Sequence, residues 1–212
     1  AKAEIAKGQV GSLAGYVYAQ QGAPGAPGTQ RVLKSDTFEY TQGGWIVPKR
    51  KDLYEPANAT QCATLGKAFN PNIGRASTWK IPNDPSLVKP GVVVATSMYN
   101  TGRSAEHAGF HTGVALTAPN EDGDFYILDQ SSGHGPAVHK MNVKNYTYHD
   151  RPDIKGNYWG AVNGDTSQSL DAMKIALTKI DASNDKLIKQ IQGNISSIET
   201  AAQQGQTKLA EA

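Results

Sequence analysis

The chain has 212 residues, 38% of them hydrophobic and 19% charged, which sets an expectation of one domain of ordinary size with an appendage, or two small ones. Twenty-one basic against nineteen acidic residues leave a formal charge of +2, and no like-charge run exceeds Lys49-Arg50-Lys51, so the clustered basic face that nucleic-acid binding needs is not present. No apolar run approaches the roughly 20 residues of a bilayer span, and the single cysteine, Cys62, excludes an internal disulfide framework and any zinc site built on two or more cysteines.

In chain order, Val10 to Gln20 carries Leu13, Tyr16 and Val17 at helical spacing, and Gly22 to Gly28 reads as a proline-broken loop or linker. No charged-then-apolar signal pattern precedes them. Asn58 to Phe69 predicts a short helix capped by Asn58 or Thr60 and ended by Asn70-Pro71, with Cys62 in its first turn. Strand-like runs follow at Gly91 to Ser97, His111 to Thr117, Phe125 to Asp129 and Tyr158 to Val162, with turn signals at Lys89-Pro90-Gly91 and Asn120 to Asp124. Tyr99 to Phe110 and Ser131 to Ala137 read as loops. One helix followed by an antiparallel meander is an α+β plan.

The composition changes at residue 165. All aromatic residues and all prolines precede Thr166, so residues 1–165 read as a turn-rich domain and 166–212 as a long helix or helical hairpin. In that tail Leu170, Met173, Leu177, Ile180, Asn184, Leu187, Ile191, Asn194, Ile198, Ala201 and Gly205 follow a heptad seam, with Ile188 and Ile195 widening it. Such a stripe suits self-association, a partner such as a secretion-apparatus component, or packing on the front domain.

A cysteine in the first turn of a helix has its thiolate stabilised by unpaired backbone N–H groups and the positive end of the helix dipole, below its usual pKa of about 8.5. It then needs a base, and the base needs a group that fixes its tautomer. His111 opens one predicted strand and Asp129 ends the next; antiparallel pairing brings a strand's start beside its successor's end. Cys62, His111 and Asp129 are thus the candidate catalytic residues. His107 is the rival base, and Gln130 the rival third group on the opposite strand face. His134, between Gly133 and Gly135, is a candidate substrate contact. His107 and His111 have metal-chelating spacing, but the residues between them lack the Glu of a His-Glu-x-x-His helix and include Gly109.

Five segments taken together, Gln61-Cys62-Ala-Thr-Leu-Gly-Lys-Ala-Phe69, Ser77-Thr-Trp79-Lys80, Val88-Lys-Pro-Gly-Val-Val-Val-Ala-Thr96, His111-Thr-Gly-Val-Ala-Leu116 and Tyr126-Ile-Leu-Asp-Gln130, resemble the papain-like peptidoglycan amidases of the NlpC/P60 and CHAP superfamily, in the branch that contains the type VI secretion amidase effectors. The resemblance spans roughly residues 55 to 162. It departs from the branch in the Gln before Cys62, where Glu is frequent, and in the long polar insert from Asn100 to Phe110. It implies a papain-like fold and hydrolysis of an amide in bacterial cell-wall stem peptides, with Cys62 as nucleophile, His111 as base and then acid, and Asp129 orienting the imidazole. Trp79, Gln130 and His134 become expected substrate contacts, with Trp159 a second groove wall. Arg75, Lys80 and Arg103 are cations suited to stem carboxylates. No cofactor is implied. A toxic cell-wall hydrolase also implies delivery to a target cell's periplasm and a cognate immunity protein. The alternatives are a papain-like hydrolase or deamidase with another amide substrate, and a non-enzymatic module that works through its tail.

Overall fold

The computed structural model describes residues 33, 35–55, 58–97, 108–131, 134–144, 158–180 and 184–210, apart from the side chains of 108–110, 134, 207, 209 and 210. The predicted helix at Val10 to Gln20, the Gly22–Gly28 linker, His107 and Arg103 lie outside these residues. A short hairpin, β1 (Phe38–Tyr40) and β2 (Ile46–Pro48), precedes helix α1 (Cys62–Phe69). A five-stranded antiparallel sheet follows, built from β3 (Val93–Ser97), β4 (Ala108–Ala115), β5 (Asp124–Ser131), β6 (His134–Asn142) and β7 (Trp159–Ala161) in the order β6-β5-β4-β3-β7. Two helices, α2 (Leu170–Lys179) and α3 (Asp185–Ala210), close the described chain. The architecture is α+β with antiparallel sheets.

Alternation along the strands decides what each face buries. Val93, Ala95, Val114, Leu116 and Leu128 point into the larger core, against α1, the hairpin and the tail helices. Val94, Ala115, Phe125 and Ile127 point the other way, into a smaller cluster with Val88, Val143 and Trp159. Both faces are covered, which is why β3 is buried along its whole length. Helix α1 lies close on the sheet because residue 66 is glycine: a Cβ there would stand 3.0 Å from both Thr112 Cγ2 and Val93 Cγ1.

The tail is a helical hairpin that docks on the front domain. Ala172, Met173, Ile175, Ala176, Leu177, Leu187, Ile191 and Ile195 belong to the same core as Leu65 and Trp79, so the composition change at 165 does not separate two cores. The heptad seam is spent on this contact as far as Ile198, and Ala201 and Gly205 are exposed beyond it. Asn194, a polar interruption of the seam, donates from Nδ2 to the carbonyl of Leu116 at 3.0 Å. It fixes the register of docking rather than that of a coiled coil. Among the described residues no helix is long and apolar enough to cross a membrane.

Two local readings need correction. The N-cap of α1 is Gln61, in extended conformation and without a side-chain cap bond; Asn58 instead opens the turn before it, its carbonyl accepting from Gln61 N at 3.0 Å and from Thr64 Oγ1 at 2.7 Å. Part of what reads as loop is strand: β5 runs to Ser131, His134 opens β6 directly opposite it, and β4 begins at Ala108 rather than at His111.

Candidate active site

Three elements converge at one end of the central strands. The β4–β5 ladder pairs Ala115 with Ile127, Val114 with Leu128 and Gly113 with Asp129, and goes no further. Glycine is needed at 113, where a Cβ would meet Leu128 O and Ile127 Cδ1 at 2.9 Å each. His111 therefore stands just beyond the last pair, diagonal to Asp129, and its Nε2 lies 2.6 Å from Asp129 Oδ2. The backbone N–H of His111 donates to Thr96 Oγ1 at 3.1 Å, and the indole of Trp159 meets the imidazole edge-on with centroids 6.0 Å apart. The ring is thus held through its backbone, one nitrogen and one flank.

Gln130, next along β5, points the opposite way and does different work. Its Oε1 accepts from Ile46 N at 3.0 Å, and its Nε2 donates to Ile46 O at 2.9 Å and to Ala59 O at 3.2 Å. It joins the hairpin and the turn before α1 to the sheet, and so fixes where the helix starts. Cys62, the first helical residue and half-buried, stands close enough to the His111 imidazole to help raise its pKa. With Nε2 engaged by Asp129, Nδ1 is the nitrogen left to exchange a proton with the thiol.

The electrostatics follow from this packing. Burial opposes a charge on His111, which is only 7% exposed, but the Asp129 carboxylate and the Cys62 sulfur outweigh it and raise its pKa to about 9. Burial likewise works against ionised Asp129, 1% exposed, yet hydrogen bonds from His111 and His139 hold it below the usual carboxylate range. The buried carboxylate holds both histidine rings by hydrogen bonds and favours the protonated form of each. Among the described residues no group of three or more His, Cys, Asp or Glu side chains is arranged to hold a metal ion.

Antiparallel pairing brings His111 to Asp129 as expected, though β4 begins three residues before His111 and β5 runs two past Asp129; Cys62, 67 positions from Asp129 in the chain, stands at the start of α1 close enough to bear on the imidazole. The expected substrate contacts fare differently. Trp79 has no exposed surface; it packs in the core and donates from Nε1 to Gly74 O at 3.3 Å, so it walls no groove. Gln130 is also fully buried, and its amide is committed to backbone, which removes it both as a substrate contact and as the third group. Trp159 backs the His111 ring from inside the smaller core. His134 begins β6 rather than sitting in a loop. Arg75 and Lys80 are exposed. The residue that sequence reading missed is His139, whose Nδ1 lies 2.8 Å from Asp129 Oδ1. Its signal was available in the alternation of Ala137-Val-His-Lys-Met141, which extends the meander by one strand.

No protein-family model matches the chain, and neither a curated protein nor a solved structure matches it.

Proposed function

We propose that this chain is a papain-like cysteine hydrolase that cleaves an amide bond in the stem peptides of bacterial peptidoglycan. The observation that carries the reading is the placement of His111 between the buried Asp129 carboxylate and Cys62 at the start of a helix. The Cys62 thiolate attacks the amide carbonyl, and the electron pair displaced onto oxygen makes a tetrahedral oxyanion. Cys62 occupies the first helical position, where the backbone N–H has no acceptor within the helix, so it is suited to receive that charge. His111 gives its Nδ1 proton to the departing amine and a thioester remains. It then takes a proton from water, whose oxygen attacks the thioester, and the proton returns to the sulfur as the carboxylic acid leaves and ionises in solvent. Asp129 remains ionised throughout and holds the ring by Nε2.

The choice of peptidoglycan rests on the order and wording of the five sequence segments, and two of them gain a physical reason here. The glycine of His-x-Gly is demanded by the Leu128 carbonyl, and the Gln of Asp-Gln clamps the helix start. A hydrolase of this kind acts in the periplasm or wall of a target bacterium, and a producer would hold an immunity protein against it.

The test is digestion of purified sacculi by the full chain and by Cys62→Ala, with released fragments identified by mass spectrometry. New muropeptides from the wild type alone support the reading and identify the bond. Intact sacculi with both proteins folded refute the substrate.

A further inference from the structure

His139 shares the Asp129 carboxylate with His111, and nothing in the mechanism above uses it. Resting on the hydrolase reading, we propose that His139 is a positioning residue that pins the Asp129 carboxylate in the orientation serving His111, and so sets the reactivity of Cys62.

His139 lies across from Ile127, and Asp129 is two residues further along the same strand, so its side chain reaches the carboxylate diagonally between neighbouring strands. Asp129 therefore has one oxygen for each histidine, Oδ2 at 2.6 Å from His111 and Oδ1 at 2.8 Å from His139. The terminal torsion of an aspartate is broad, so a single partner leaves the carboxylate plane free to swing. A second donor on the other oxygen removes that freedom. It also satisfies a buried anionic oxygen that would otherwise lack a partner.

Charge makes the arrangement asymmetric. His111 is almost wholly buried, whereas the side chain of His139 is 42% exposed. Among the described residues the ionisable groups that bear on His139 are Asp129 from β5, which favours its protonated form, and His111 from β4, which opposes it. Lys140 turns to Asp124 instead, at 2.6 Å. A neutral donor at position 139 thus preserves the pin while removing a positive charge that competes with the His111 imidazolium for one carboxylate. Because the bonding atom is Nδ1, close to the backbone, an asparagine amide nitrogen falls near the same place, and a glutamine amide nitrogen lies one bond too far out.

The experiment measures alkylation of Cys62 by iodoacetamide across pH in the full chain, for wild type, His139→Asn, His139→Gln and His139→Ala, alongside kcat and KM on sacculi. The wild-type alkylation rate at each pH is the reference for the three variants. His139→Ala and His139→Gln should lower that rate, and kcat, by about tenfold, the low end for losing a hydrogen bond to a charged group, with KM unchanged. His139→Asn should stay within about twofold of wild type and retain the acid limb of the profile. If His139→Ala does not fold, the contrast between Asn and Gln carries the result. Equal rates in all four proteins, or Asn falling with Gln, overturn the role of His139 while leaving the hydrolase reading intact.

Discussion

Replacing His111 with glutamine removes the group whose titration links the candidate site to stability. In the folded chain its pKa is raised to about 9, against about 6.5 for a histidine in unfolded chain, because Asp129 and Cys62 stabilise the charged ring. A pKa raised on folding contributes stability that is fully present below the unfolded value and is lost as pH rises through the folded one. The contribution is therefore complete below about pH 6.5 and gone above about pH 9, and the interval corresponds to about 3 kcal/mol. Asp129 does not blur the window: its pKa is lowered, so what it contributes is lost only under acid conditions. Urea unfolding of wild type and His111→Gln, followed from about pH 6 to about pH 10, should show wild type losing about 3 kcal/mol relative to the variant, most of it between about pH 7 and pH 9. The same measurement on Cys62→Ala should show a smaller loss, since one of the two stabilising partners is gone. A difference between wild type and His111→Gln that stays constant within about 0.5 kcal/mol across this range would refute the coupling of His111 to its neighbours.

Three further outcomes test the scaffold. Gln130→Leu strips partners from the backbone of Ile46 and Ala59 and should cost about 3 kcal/mol, a fall in Tm of about 6–12 °C for a chain of this length; a fall under about 2 °C would show the clamp to be dispensable. Gly113→Ala forces a methyl against Leu128 O and Ile127 Cδ1 and should destabilise by about 1–3 kcal/mol, measured as a lower urea midpoint, with Cys62 alkylation slowed because the Gly113–Asp129 pair anchors the site. Ile191→Ala, at a fully buried position, should cost about 2–5 kcal/mol, whereas Ala201→Glu on the exposed part of the same helix should stay within about 0.5 kcal/mol. Equal, small effects at both positions would mean that the tail does not contribute to the core.

Much of the site was legible because it depends on local rules. A histidine and an aspartate on successive strands need only antiparallel pairing to meet, and the register Gly113 to Asp129 is the one that makes them do so, although β4 begins before His111 and β5 runs past Asp129. What sequence left open depends on long-range packing. Nothing local separates an interior tryptophan from a groove tryptophan, and Trp79 went inside. Gln130 could face either way until Ile46 and Ala59, up to 84 positions distant, supplied its backbone partners. The hairpin β1–β2 offers three-residue strands, too short for alternation to register. The tail stripe was compatible with a second chain or with the front domain, and only the fit of Met173, Leu187 and Ile191 into the existing core distinguishes them.

That fit sets an order of events during synthesis. Translation at about 5–20 residues per second places some seconds between completion of the sheet strands and emergence of α3. Throughout that interval the face of the sheet that α2 and α3 will cover is open, with Val114, Leu116 and Leu128 lacking their eventual neighbours. The strands that carry His111 and Asp129 thus lack part of their cover until the tail arrives, and the helical hairpin completes the core last in the order of synthesis.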